Sequence, residues 1–192
     1  MTISRIAMVS AAVLSLSFGA AATSALAQMK GEQTVTVGGA PMYPSRNIVE
    51  NAVNSKDHTT LVAAVKAAGL VETLQSPGPF TVFAPTNAAF RKLPAGTVET
   101  LVKPENKQML TSILTYHVVP GRMSAKDLMN AVKQGGGKAM LKTVEGDSLT
   151  VEVQGTKLIL TDAKGDRSTI TIANVNQSNG VIHVVDTVLL PG

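Results

Sequence analysis

The sequence predicts an α+β domain with its helices mainly in the N-terminal half, and three observations carry that reading. Apolar residues recur at helical spacing through the first half. From about residue 139 they alternate in short runs separated by turn chemistry. Two extended apolar runs almost a hundred residues apart, Thr81–Phe90 and Asn179–Pro191, each abut a turn and read as strands that close the unit. Helices first and antiparallel strands after argue against alternating βαβ units.

The elements follow in order. Gln28–Ser45 contains Gly38-Gly39, Pro41 and Pro44 without sustained periodicity, so an extended arm over 28–45 is expected, with a strand at Thr34–Val37. Asn47–Asn54 reads as a short helix. Thr59 is placed to cap Thr60–Ala68, where Leu61, Val62, Val65 and Ala68 share a face and Gly69 supplies the stop. Phe80, Val82 and Phe83 run as a strand into Ala84-Pro85-Thr86-Asn87, where a short helix can start. Pro104 suits a first helical position, and Met109, Leu110, Ile113 and Leu114 form the stripe of the helix that follows. Ser124 can cap Ala125–Val132, which ends near Gly135-Gly136-Gly137. Ala139–Val144, Ser148–Val153, Lys157–Thr161 and Thr169–Asn174 are strands joined by hairpin connections at 145–147, 154–156 and 162–167. Val181–Leu190 then returns to pair with Phe80–Ala84 or its neighbours.

The first 27 residues read as an address. Arg5 supplies the positive region, Ile6–Phe18 the apolar core and Ala25-Leu26-Ala27 the small residues of a cleavage site. Cleavage after Ala27 and export to the periplasm or beyond are expected, and the alanine-rich leader points to a bacterium. Removing 27 of the 192 residues leaves 165, the size of one domain. A chain of that size can bury a core without disulfides, which fits the absence of cysteine. That absence excludes zinc ribbons, iron–sulfur clusters and thiol catalysis. No second apolar run is long enough to span a membrane once the leader is removed. Lysines stand singly, as at Lys103, Lys126, Lys133 and Lys138, with no tryptophan and only Tyr43 and Tyr116, so no nucleic-acid surface is expected.

Thr81–Phe90 (TVFAPTNAAF), Thr115–Gly121 (TYHVVPG) and Asn179–Pro191 (NGVIHVVDTVLLP) together resemble the two signature boxes and central Tyr-His motif of the fasciclin domain, from about Asn47 to Pro191. The resemblance implies a wedge over residues 46–192: a β-sandwich-like, antiparallel-rich sheet with flanking helices. Thr81, Phe83, Pro85, Thr86, Asn87 and Phe90 of the first box and Gly180, His183 and Asp186 of the second are then structural motif residues. It also implies cell adhesion, with Tyr116, His117 and Asn174 as the candidate adhesive surface. At Asn174 the adhesive relatives have an acid, so metal-assisted recognition lacks its charge here. His58 departs from the aromatic often found before the helix it precedes.

Each of these residues also has a purely structural explanation. Tyr116 and His117 lie where a helix gives way to a strand, and a phenol and an imidazole there satisfy buried polar groups. His183 shares a strand face with Val181 and Val185, opposite Asp186, which spoils a local His–Asp catalytic pair and suits a core histidine. Gly146-Asp147-Ser148-Leu149 spells an esterase nucleophile box, but it follows a strand and precedes alternating residues instead of opening a helix. His58, His117 and His183 have no metal-ligand spacing, and Gly135-Gly136-Gly137-Lys138 lacks the Ser or Thr of a phosphate loop. The sequence thus points to a secreted, non-enzymatic protein without cofactor. Its expected roles are adhesion to the cell surface or extracellular matrix and protein–protein interaction. A surface protein, matrix component or polysaccharide is the expected partner, with weak self-association. The alternatives are a periplasmic carrier of a small ligand or metal, and an esterase using Ser148.

Overall fold

A computed structural model describes residues 33–192; the leader and its cleavage site after Ala27 lie outside them. Within the segment expected as an arm, β1 (Val35–Val37) and β2 (Ala40–Met42) pair as a hairpin. Gly38 and Gly39 make the turn, both at positive φ, and a Cβ on Gly38 would meet Ser55 Oγ at 2.3 Å. Val37, Ala40 and Met42 are buried in the domain core, so the hairpin packs against it.

Helix α1 (Ile48–Ala52) starts on a capping box made by Asn47 and Glu50. A 3-10 turn, Lys56–His58, leads directly into α2 (Thr59–Ala68), so Thr59 is already helical and is not the cap expected of it. Asn87 serves instead, its Oδ1 accepting from the Thr60 amide at 3.0 Å and the Thr59 hydroxyl at 3.2 Å. Gly69 ends α2 in the left-handed region, as expected. After α3 (Val71–Gln75) comes β3 (Phe80–Pro85), then α4 (Asn87–Phe90), capped by the Thr86 hydroxyl. Next come α5 (Thr97–Leu101), a 3-10 turn opened by Pro104, and α6 (Lys107–Tyr116). The buried stripe of α6 is Leu110, Ile113 and Leu114. Met109, expected in it, is 59% exposed although it lies one turn before the buried Ile113. Beyond β4 (Val118–Pro120), α7 (Ala125–Gln134) begins on a Ser124–Asp127 capping box.

The remaining strands are β5 (Lys138–Lys142), β6 (Ser148–Gln154), β7 (Lys157–Thr161), β8 (Arg167–Gln177) and β9 (Gly180–Val185). One seven-stranded sheet results, in the order β4-β3-β9-β8-β7-β6-β5. Its pairings are antiparallel except β3–β9, which is parallel with Phe80 opposite Gly180 and Phe83 opposite His183. The Val144 amide, just past β5, donates to the Val118 carbonyl of β4 at 2.8 Å, so the sheet curls almost into a barrel. Strand β8 runs past the expected end at Asn174, through register shifts between Ile170 and Val175. Strand β9 stops before the expected Leu190 because side chains take the next amides. Ser168 Oγ accepts from Thr187, His117 Nε2 from Leu189, and Asp162 Oδ2 from Leu190.

The β3–β9 pair is a wall between two cores. Alternation sends Val82, Ala84, Ile182 and Val184 to one side, against Ile48, Leu61, Val65 and Leu114 of the helices. Phe83 and Val185 face the other side, with Tyr116, Leu128, Leu149, Val151 and Leu160. Both faces being covered, all of β9 is buried. Gly180 lets the strands meet: a Cβ there would lie 2.2 Å from the Phe80 carbonyl oxygen.

Candidate functional site

Tyr116 and His183 sit on the barrel side of the wall and His117 at its edge, and each binds backbone. Tyr116, at the end of α6, is fully buried. Its hydroxyl donates to the Ser148 carbonyl and accepts from the Ala163 amide, both at 3.1 Å, tying the β5–β6 and β7–β8 connections together. His117 is 2% exposed; its Nδ1–H donates to the Ile113 carbonyl at 2.8 Å and its Nε2 accepts from the Leu189 amide at 3.0 Å. His183 is fully buried and stacks on Phe83, its neighbour across β3–β9. Its Nε2–H donates to the Met123 carbonyl at 2.9 Å, and its Nδ1 accepts from the Asn174 amide at 3.3 Å. Because the backbone partners are fixed donors or acceptors, they dictate opposite tautomers for the two rings.

The 121–125 connection is held in the same way. Thr81 Oγ1 donates to the Gly121 carbonyl at 2.7 Å and accepts from the Met123 amide at 2.9 Å. Asn174 sits in the left-handed region at φ 60° and stays exposed, yet its Oδ1 accepts from the Ala125 amide at 2.7 Å, the first of α7. Asn179 joins the helical side: its Oδ1 accepts from the Ile48 amide, and its amide group donates to the Leu74 and Ser76 carbonyls at 2.8 and 2.9 Å. Asp186 lies just past β9, where its Oδ1 accepts from the Thr169 amide at 2.8 Å and the Thr187 hydroxyl at 3.1 Å.

Burial sets the electrostatics. It lowers His117 to about 4 and pushes His183 and His58 down as well, so the three imidazoles are neutral at neutral pH. Burial likewise raises the Tyr116 phenol. For Asp186, partial burial opposes ionisation, but the Thr169 amide, Thr187 hydroxyl and Lys92 outweigh it and hold the carboxyl below its usual range.

Chemically, this arrangement fastens chain to chain. His117 and His183 have both ring nitrogens engaged with backbone, so neither is free to serve as a base for Ser148, which opens β6. Among the described residues, no group of three His, Asp or Glu side chains could hold a metal ion. Nor is any described helix long and apolar enough to cross a membrane. Thr86, Asn87, Pro85 and Phe90 terminate β3 and start α4, the last with its ring buried. The sequence reading assigned no role to Thr81's hydroxyl, to Asp162 or to the side chain of Asn179. Asp162 and Asn179 stand at turns, and an Asx within three residues of a glycine is the available signal.

A nearly closed mixed sheet under a helical layer, with its motif side chains turned inward onto backbone, defines a scaffold domain. The fasciclin-domain family model matches residues 56–191. Protein sll1483 of Synechocystis sp. is 49% identical over 170 residues, covering 88% of this chain and 87% of that one. Immunogenic protein MPB70 of Mycobacterium bovis is 39% identical over 145 residues, covering 73% of this chain and 66% of that one. The solved FAS1 domain pair of the insect cell adhesion molecule fasciclin I superposes with a TM-score of 0.68 at 19% identity, over 83% of this chain and 58% of that one. The chain belongs to the fasciclin-domain family.

Proposed function

We propose that this protein is an exported, non-enzymatic fasciclin domain that acts by binding surfaces, with residues 1–27 as its leader and 46–192 as the working unit. Membership of the family supports the reading, as does the similarity in fold to a domain pair from a cell adhesion molecule. The observation that carries it is the engagement of Tyr116, His117 and His183 with backbone, which leaves the outer faces to do the work. The candidate face is the outside of α7 and the loop to β5. There Lys126, Met129, Lys133, the three glycines 135–137, Lys138 and Met140 are exposed, Met140 at 75%. Exposed methionines beside lysines suit a surface protein, matrix component or polysaccharide that offers apolar and anionic groups together. Each contact is weak, and many copies on one surface act by avidity. Asn174 borders this face and contributes through its hydrogen bond to the start of α7.

The test is reversible binding of the purified protein to cells and matrix from its host. Wild type is expected to bind, and the Lys126→Glu, Lys133→Glu, Met140→Glu triple variant to lose binding with its circular dichroism unchanged. Equal binding by both, or none by either, overturns the reading.

A further inference from the structure

The helical side of the wall contains a cavity of about 80 Å³ whose surface is almost wholly carbon, with Leu61, Val65, Leu74 and Ile182 among its walls. Polar residues line it too, but their polar atoms are engaged elsewhere. Ser55 Oγ is bound to His58 Nδ1, and Thr115 Oγ1 donates to the Thr111 carbonyl at 2.7 Å. Both nitrogens of His117 hold backbone, and His58 Nε2 is closed off beside the Ala84 carbonyl. These side chains therefore present carbon to the cavity.

Lys66 and Thr73 also line the cavity and are exposed, so it reaches the surface. A lysine that is exposed yet borders a surface of carbon does so with its stem, which leaves the ammonium in water at the mouth. None of the ion pairs among the described residues includes Lys66. Val62, one turn earlier on α2, is half-buried and lines the same cavity. The matching occupant is aliphatic inside and anionic outside. Water gains little in such a space, since an enclosed water needs two to four polar partners. Size limits what enters: an engineered apolar cavity of about 150 Å³ takes benzene, so this one holds about three carbons. A carboxylate on the other end stays hydrated beside Lys66 and escapes the cost of burying a charge.

We propose that this cavity binds the chain end of a straight-chain aliphatic monocarboxylate. Its last few carbons pack among Leu61, Val65 and Ile182, and its carboxylate stands at the mouth beside Lys66. The site is independent of the adhesive reading, because no residue of α7 lines it.

The experiment titrates the isotope-labelled full chain with butyrate, hexanoate and octanoate, and with 1-hexanol, following the Leu61, Val65 and Ile182 methyls by NMR. Saturable methyl shifts are expected with hexanoate and octanoate. Affinity should rise from butyrate to hexanoate by more than about fourfold, the worth of one buried methylene. Lys66→Gln should weaken hexanoate by about two- to fivefold, the worth of an exposed ion pair, and leave 1-hexanol unchanged. Val62→Phe, which sets a ring against the opening, should weaken both. The proposal is overturned by methyl shifts that never saturate, or by affinity that ignores chain length. Equal responses of hexanoate and 1-hexanol to Lys66→Gln, or wild-type binding by Val62→Phe, overturn it as well. Should Val62→Phe not fold, the chain-length series and Lys66→Gln decide.

Discussion

The two sides of the β3–β9 wall are built on opposite terms. On the barrel side and at its edge, polar side chains penetrate the core, and Tyr116, His117 and His183 each bind backbone groups. On the helical side the buried side chains are mostly aliphatic, and the polar ones, Asn51, His58 and Asn179 among them, stand at turns and helix ends. The contrast teaches where specificity in this fold is stored. Irregular connections on the barrel side are positioned by hydrogen bonds from buried rings, whereas on the helical side aliphatic packing fills the interior and Asn87 and Asn179 fix the helix ends.

The largest effect should come from breaking the barrel side. His117→Ala removes a buried ring and strands the Ile113 carbonyl and the Leu189 amide, so urea denaturation should show a loss of about 3–5 kcal/mol. Acid should sharpen the same contrast. His117 is held at about 4 in the fold against 6.5 when free, so the unfolded chain binds more protons between those values. Stability is therefore full above pH 6.5 and falls as the pH drops toward 4, by about 3 kcal/mol from this residue. His183 and His58 are displaced in the same direction and add to the loss. Denaturation midpoints across pH 4 to 8 measure it, and His117→Gln should flatten the curve.

A smaller effect is expected where the two sides are joined. Asn179→Ala frees the Ile48 amide and the Leu74 and Ser76 carbonyls, and about 2–3 kcal/mol should be lost in the same urea assay. Smallest is Asn174→Ala, which removes the hydrogen bond to the Ala125 amide beside the Ser124 cap and puts a residue less suited than Asn at φ 60°, for about 1–2 kcal/mol. Thermal melts should show Asn174→Gly milder than Asn174→Ala, since glycine relieves the backbone while losing the same hydrogen bond.

How much of this was legible in the sequence follows from what each feature depends on. Periodicity and caps are local, so α2, α6, α7 and the hairpins of the second half stand close to their expected bounds, with Ser124 and Gly69 in the roles read for them. The two signature boxes lie side by side as β3 and β9, which settles the pairing that the sequence left open between Phe80–Ala84 and its neighbours. What failed was decided by partners distant in sequence. Thr59 lost its capping role to Asn87, and Val181–Leu190 was shortened because His117, Asp162 and Ser168 captured its last amides. Met109 reads as apolar stripe, but the neighbours that decide its exposure are not encoded nearby. The inward hydrogen bonds of Tyr116 and His183 and the burial of His58 likewise depend on partners from distant parts of the chain, which local patterning does not specify.

Histidine nitrogen NMR across pH 4 to 8 tests most directly whether these imidazoles hold the fold together. His117 should appear as the neutral Nδ1–H tautomer and His183 as the neutral Nε2–H tautomer, each unchanged through pH 6.5. Two rings that titrate near 6.5 with averaged tautomers would contradict the account.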